Sequence, residues 1–341
     1  MKDENGLPAV FLARLATILP AEAREKCLAS FGWDKPVAFR VNTLKGRVAD
    51  VLGELSGAGF EVRPVDWLSE AAMVPWGQRR ALTQTGAVHE GRIYIQNLTS
   101  MLVPLVLDPR AGQEVLDLAA APGGKTLEMA AMMGNQGRIA AVEPIRDRFY
   151  RLRAVLELHG ATIVDTYLAD GRWIGRKTPE RFDRVLLDAP CSCEARFDPR
   201  HPETFRYWSP RKIKESARKQ KGLLRSAVAC LKPGGTLVYS TCTFAPEENE
   251  LVVQSVLDEL GEAVEVAPID FPVANLQPGL TRWEDRELTA ELARSVRVLP
   301  NELMDAAYLC KLVKRTSTEA PRRTGRQRRR TGHGPGRAEN R

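Results

Sequence analysis

Two cysteines, Cys191 in the segment LLDAPCSCE and Cys242 in the segment LVYSTCTFAPEENE, each follow an apolar run of strand character. Such runs read as buried parallel strands, so both thiols are expected at the carboxyl edge of one sheet, where open α/β sheets bind ligands. A thiolate is a strong nucleophile near neutral pH. Two of them at a ligand-binding edge point to covalent chemistry on an electrophilic carbon.

The remaining thiols form no framework. Cys27, Cys193, Cys230 and Cys310 complete a set of six, which is scattered together with four histidines over 341 residues. That pattern fits neither a disulfide scaffold nor the paired ligand clusters of a zinc site, so no metal is expected. Cys193 and the other three read as passive, packed thiols.

The elements that must position the pair come next. From about Gly91 to about residue 260, strands and helices alternate: EVLDLAA, a helix from Gly124, RIAAVEP, a helix over 146–159, IVDTYLAD, RVLLDAP, a long helix over 210–231, GTLVYSTC and a helix from Pro246. Regular alternation predicts a mainly parallel sheet covered on both faces, with right-handed crossovers. VRVLP and AAYLCKLVK read as strands closing that sheet. Ahead of it lie a helical opening, VAFRVNT (37–43), a short helix near 48–57 and FEVRPVDW (60–67). These form an expected small β-α-β unit carrying Arg40, Lys45, Arg47 and Arg63.

The first strand of the alternating region runs into AAAPGGKT, residues Ala119, Ala120, Ala121, Pro122, Gly123, Gly124, Lys125 and Thr126. A glycine-rich turn opening a helix lets a nucleotide-like ligand reach main-chain amides. Its spacing matches neither a phosphate-binding P-loop nor the three-glycine dinucleotide pattern. The second strand ends at Glu143, where a carboxylate can accept hydrogen bonds from ribose hydroxyls, and the third leads to Asp170, which can accept from the exocyclic amine of an adenine. Three strand ends aligned in this way favour an adenosine ligand over merely solvated carboxylates.

Composition bounds the rest. With 43% apolar and 27% charged residues the chain is an ordinary globular protein, and no apolar stretch is long enough to span a bilayer. The opening MKDENGLPAVFLARLATILP is acidic at its start and holds Arg14 within its apolar part, which suits an amphipathic helix better than a secretory signal. A cytoplasmic protein is expected. The net charge of +7 sits in the C-terminus: ten Lys and Arg face two Glu from Lys314 onward, leaving 40 basic and 41 acidic residues before it. This Arg-rich, Gly- and Pro-rich tail cannot bury enough apolar surface to fold alone, and it suits contact with nucleic-acid phosphates.

The segments GRIYIQNLTSMLVPLVLDPRAGQEVLDLAAAPGGKT, FDRVLLDAPCS and LKPGGTLVYSTCTFAPEENE, in this order, resemble the Sun-type (Nol/Nop/Sun) family of RNA cytosine-5 methyltransferases. The resemblance covers roughly residues 37–314 and is strongest over 91–260. It implies S-adenosyl-L-methionine as methyl donor. It also implies that Cys242 adds to carbon-6 of cytosine, that Cys191 assists later proton removal and release, and that Asp188 lies at the junction of cofactor and base. Asp188 can stabilise charge at the cytosine N3 or amino group, or orient the DAPC turn, and both roles are open. Lys125 belongs to the binding loop. Two departures stand out: Ala119 replaces a common cysteine, and Cys193 and Ala195 replace the glycines of PCSGEG.

The expected fold is therefore α/β, a Rossmann-like methyltransferase sheet at 91–314 behind a small α+β RNA-binding domain at 1–90, with a disordered basic tail at 315–341. A base inside a duplex cannot reach these thiols, so an unstacked or flipped cytosine is required. RNA is the expected partner of a monomeric enzyme, ribosomal RNA ahead of transfer RNA. The N-terminal unit and RHPETFRYWSPRKIKESARKQK (200–221) are candidate RNA surfaces, the latter equally readable as an amphipathic helix with a solvated basic face. A non-catalytic RNA-binding or assembly factor is the competing class, and a transferase for protein or small molecules the third.

Overall fold

The structure is a computed structural model in which residues 6–271 and 273–318 are described. The basic segment 319–341 lies outside them.

The chain opens with two helices, α1 (Ala9–Ile18) and α2 (Ala21–Ser30). Leu7, Phe11, Leu15 and Ile18 recur at helical spacing and are buried along one face. After them come β1 (Val37–Val41), α3 (Val48–Gly57), β2 (Arg63–Val65) and β3 (Leu68–Val74). The short turns α4 (Arg79–Thr83) and α5 (Gly86–His89) then lead to β4 (Ile93–Ile95). The four strands form an antiparallel sheet in the order β2-β3-β1-β4, not the expected β-α-β unit. FEVRPVDW is not one strand: the chain turns at Asp66 and Trp67, and β2 pairs back onto β3. The fourth strand lies beyond residue 90, so the N-terminal sheet continues past the point where the sequence pattern changes.

The larger unit begins with α6 (Leu98–Leu107), followed by β5 (Glu114–Asp117), α7 (Gly124–Met132), β6 (Arg138–Glu143), α8 (Arg146–Leu158) and β7 (Val164–Leu168). Next come α9 (Ile174–Lys177), β8 (Phe182–Asp188), α10 (Pro210–Cys230), β9 (Leu231–Thr241) and α11 (Glu250–Leu260). The helix expected from Pro246 thus starts at Glu250. The chain finishes with β10 (Val264–Ala267), β11 (Leu276–Pro278), the hairpin β12 (Arg282–Trp283) and β13 (Arg286–Glu287), β14 (Val296–Val298) and β15 (Ala307–Lys314).

Nine strands form one sheet along the path β11-β14-β15-β9-β8-β5-β6-β7, while β10 and β14 pair with successive halves of β15. Strands β5 to β9 are mutually parallel, and β15 inserts antiparallel beside β9. Burial on both faces accounts for the apolar character of β5, β6, β8 and β9. β7 departs from it, being a largely exposed edge strand.

Two features bring distant sequence to the thiol edge. Phe11 of α1 sits among Phe31, Phe197, Trp208 and Phe244, with ring centroids 4.9 to 6.3 Å away. The opening helices therefore pack on the loops that follow β8 and β9, and Arg14 pairs with Glu247 at 2.6 Å. The N-terminal sheet docks on α7 and α8 through polar contacts. Asn42 donates to the carbonyls of Gly91 and His159, and Gln96 donates to the buried Glu128.

Candidate active site at the carboxyl edge of the sheet

β8 and β9 are adjacent and parallel, with Asp188 opposite Ser240, so the chain leaves both strands at the same edge. The turn after β8 is tied across by Ala189 N donating to Ser240 O at 2.8 Å. The two loops bring Cys191 Sγ and Cys242 Sγ to 3.4 Å, within thiol hydrogen-bond range.

Cys193 joins them, contrary to its expected passive role. Its Sγ lies 4.0 Å from Cys191 Sγ, and the three sulfurs fall within 4.8 Å of one another. Cys193 has φ of 58°, a left-handed conformation that favours the glycine usual at this place in the resembled family. The remaining cysteines, Cys27, Cys230 and Cys310, are buried away from the cluster, and burial raises each thiol, Cys27 to about 12 and Cys230 to about 11.

The three thiols titrate as a unit. One proton leaves readily, because the thiolate left behind accepts S–H hydrogen bonds. The hydrogen bond from Cys191, then that from Cys242, holds Cys193 down at about 3, with Arg196 adding attraction. Further ionisation is opposed. Cys191 is pushed well above the ordinary thiol range by hydrogen bonds with Cys193 and Cys242 and by burial. At Cys242 the hydrogen bond with Cys191 favours the thiolate, but that with Cys193 and burial outweigh it and raise the group to about 12. The hydrogen bonds among the three sulfurs thus favour a thiolate at Cys193 and oppose a second one at Cys191 or Cys242.

Buried carboxylates fix the loops. Glu248, from the loop after β9, accepts from Ser192 N at 2.9 Å, from the Ser192 hydroxyl and from Gln220 Nε2 at 3.1 Å. Gln220 on α10 also donates to Pro190 O at 3.0 Å, so Glu248 and Gln220 together clamp the turn that carries Cys191. Burial raises Glu248 to about 7. Glu194, from the Cys191 loop, reciprocates by accepting from Thr243 Oγ1, Phe244 N and Trp208 Nε1. Neither carboxylate, nor Gln220, nor Arg196 was identifiable as a site residue from sequence. The one available signal was an acidic EENE run placed after a strand-end cysteine.

Asp188 accepts from Lys125 Nζ at 2.6 Å and from Ser240 Oγ at 2.8 Å. Burial works against the Lys125 charge, but Asp188 outweighs it and holds the ammonium above its ordinary value. Lys125 therefore links the glycine-rich loop to the thiol edge. Asp117, at the end of β5, accepts from Thr126 Oγ1 at 2.7 Å, and burial raises it to about 6. It ties the strand to the first turn of α7.

The loop itself runs through Ala119, the buried Ala120 and Ala121, and the exposed Pro122, joined to Ala121 by a cis peptide. Gly123 has φ of 113°, and a Cβ on Gly124 would stand 2.6 Å from the Tyr94 ring. Only glycine suits either position. Glu143 is buried at the end of β6, accepting from Ile145 N at 2.9 Å and lying 3.5 Å from Arg148. Asp170 stands at the next strand end, half-buried, its carboxylate held by the backbone and guanidinium of Arg172. The sheet thus brings every expected residue to one edge: the loop, Glu143 and Asp170 on one side, Asp188 and the thiols on the other.

Candidate RNA residues of the N-terminal unit divide differently. Arg40 is buried 3.8 Å from Glu128, and Lys45 donates to the Glu90 and Leu158 carbonyls, so both serve the docking of the two units. Arg47 and Arg63 stay at the surface. α10 has a buried face through Ile213, Ala217, Gln220 and Leu224 and a solvated basic face, as an amphipathic helix should.

A doubly covered, mainly parallel sheet with a glycine-rich first turn and strand-end carboxylates defines the Rossmann-like methyltransferase class. The family described as 16S rRNA methyltransferase RsmB/F matches residues 104–313, and the N-terminal domain of 16S rRNA methyltransferase RsmF matches residues 7–98. The chain belongs to the RsmB/F family. It is 39% identical over 269 residues to ribosomal RNA small subunit methyltransferase F of Aeromonas hydrophila, covering 77% of this chain and 56% of that protein. The protein of the same name from Escherichia coli O9:H4 is 39% identical over 275 residues, covering 79% of this chain and 57% of its own length. The chain thus spans little more than half the length of these relatives. A methyltransferase homolog protein from Pyrococcus horikoshii superimposes with a TM-score of 0.78 at 34% identity, covering 91% of this chain and 96% of that one. NSun6 from the same organism, solved with SFG, shares the fold at a TM-score of 0.78 and 20% identity, covering 92% of this chain and 100% of that one.

Proposed function

We propose that the protein is an S-adenosyl-L-methionine-dependent RNA cytosine-5 methyltransferase acting on ribosomal RNA through a covalent Cys242 adduct. The observation that supports this most directly is the 3.4 Å approach of Cys191 and Cys242 beside Asp188. Membership of the RsmB/F family and the names of the relatives support ribosomal RNA over transfer RNA.

The residues suit the cofactor. Gly123 and Gly124 let the turn pack against Leu152, Val155 and Tyr94 where a side chain would clash, so the loop keeps its main chain bare at the N-terminus of α7, and Glu143 presents a buried carboxylate at the neighbouring strand end. Ala119 to Lys125, Glu143, Asp170 and Asp188 would hold the cofactor. When bound there, S-adenosyl-L-methionine supplies the methyl group that carbon-5 of cytosine takes.

Carbon-5 is too electron-poor to take that group unaided. The Cys242 thiolate forms a bond to carbon-6, and the C5=C6 electron pair shifts into the ring as an enamine. Asp188, fixed by Lys125 and Ser240, accepts a hydrogen bond from the exocyclic amino group of the cytosine and holds the ring in place for the addition. Conversion of Cys242 to a thioether removes an ionisable neighbour from the cluster, so the Cys191 thiolate becomes easier to form. After methylation Cys191 takes the carbon-5 proton, the pair restores C5=C6, and the Cys242 thiolate leaves.

RNA containing 5-azacytidine should therefore form a denaturant-resistant complex with the protein. Cys242→Ala should abolish it, whereas Cys191→Ala should retain it and turn over slowly. Trapping by Cys242→Ala but not by Cys191→Ala would reverse the assignment. Absence of labelled 5-methylcytidine after transfer from labelled cofactor to total RNA would overturn the reading itself.

A further inference from the structure

A cleft of about 770 Å³ runs between the two units. On one bank are Trp33, beyond the end of α2, and Trp76 with Arg79 from the N-terminal unit. On the other are Ala195, Arg196 and Phe244, from the loops that carry the thiols. The cleft ends close to the reacting groups: Ala195 N donates to Cys242 O at 3.1 Å.

Its lining is unusual for a soluble surface. Trp33 and Trp76 are 43% and 45% exposed, which leaves a large part of each ring in water. The Arg79 guanidinium lies over the Trp76 ring, 5.1 Å from its centroid. Arg79 and Arg196, which line the cleft, form no carboxylate ion pair among the described residues, and Arg196 also faces the thiols and Asp188 at its end. Exposed rings with unpaired arginines beside them are the elements that hold single-stranded nucleic acid without reading its sequence: bases stack on the rings and phosphates meet the cations. A target base must leave its helix to reach Cys242, so its neighbours need a platform that keeps them unpaired.

We propose that this cleft is the track for the single-stranded RNA flanking the target cytosine, with bases stacked on Trp33 and Trp76 and phosphates held by Arg79 and Arg196. This deepens the reading of the protein as an RNA methyltransferase and rests on it. It moves the RNA contact of the N-terminal unit away from Arg40 and Lys45, which the docking of the two units occupies.

The test is the affinity of the full chain for a fluorescein-labelled, unstructured RNA of roughly ten nucleotides, a length in the range of such sites. Trp33→Ala and Trp76→Ala should each raise Kd by about 5- to 100-fold, as loss of one stacked base predicts. Both should keep the wild-type slope of log Kd against log salt and the wild-type melting temperature. Arg79→Ala should flatten that slope by about 0.7, the loss of one phosphate contact. Trp→Phe at either position should recover most of the affinity. Wild-type Kd in both Trp→Ala proteins would overturn the proposal, as would binding of a short peptide with no RNA binding. Failure here is separable from failure of the function: a protein that makes 5-methylcytidine while both Trp→Ala variants keep wild-type Kd and KM loses the track alone. One that binds RNA through the tryptophans but transfers no methyl group keeps the track and loses the activity.

Discussion

The two halves of the sheet edge are built in different ways. Around β5 and β6 the glycine-rich loop relies on main chain: glycines at positions 123 and 124 and the amides of a helix N-terminus. Around β8 and β9 the thiol loops rely on side chains: Glu248 and Glu194 each reach across to the other loop, and Gln220 supports both Pro190 and Glu248. A backbone site tolerates change in any side chain that points away from it. A site cross-linked by buried carboxylates does not, because each lost oxygen leaves several donors unsatisfied in a dry interior.

The largest effect should come from Glu248→Ala. Ser192 and Gln220 lose their acceptor, which should cost about 3 kcal/mol of stability and release Cys191. Chemical denaturation and the rate of 5-azacytidine trapping would report both, and a stable protein with wild-type trapping would erase the contrast. Glu248→Gln tests the same clamp through pH. Burial raises the folded group to about 7, above its ordinary value of 4.5, so folding favours the protonated form. Its contribution is complete below the ordinary value and is lost as pH rises through about 7. Wild type should therefore gain on the order of 2 kcal/mol relative to Glu248→Gln between pH 8 and pH 4.5, measured as paired denaturation curves.

On the backbone side, Gly124→Ala places a methyl group against Tyr94. Cofactor affinity should fall about 10-fold, a cost of ~1.4 kcal/mol, while thiol reactivity toward a disulfide reagent stays unchanged. Calorimetry with S-adenosylhomocysteine and a thiol titration separate these. The smallest effect should be Asp170→Asn. Its carboxylate already has a local partner in Arg172 and is partly exposed, so cofactor affinity should drop about 3-fold, on the order of one modest hydrogen bond. A loss larger than that of Gly124→Ala would show that this edge, too, depends on a side chain.

Legibility from sequence followed the same division. The position of Cys191, Cys242, Glu143 and Asp188 at one sheet edge was readable because strand ends carry their own signal, an apolar run followed by a turn. The clamp was not, because Glu248 matters only through Ser192, 56 residues away, and no local pattern encodes that contact. The nearness of Cys193 to the other two sulfurs was not readable for a related reason: the left-handed turn that aims it at its neighbours is a backbone property. The N-terminal sheet was missed where Asp66 and Trp67 form a hairpin turn without the usual glycine or asparagine. Arg40 and Lys45 misled because a basic residue looks the same in a sequence whether it meets RNA, a buried Glu128 or main-chain carbonyls.

The docking of α1 also bears on how the molecule is made. Phe11 and Arg14 leave the ribosome long before their partners: Arg14 closes on Glu247, 233 residues later, and the aromatic nest around Phe11 includes Phe244. A contact of that span forms late, since the intervening chain must first be confined. During synthesis the opening helices must wait with their apolar faces uncovered until the second thiol loop emerges, a period in which a chaperone has something to hold. The nascent chain cannot bring its three sulfurs together before the loop after β9 has been translated, so the cluster never exists on a chain whose sheet is still incomplete on that side.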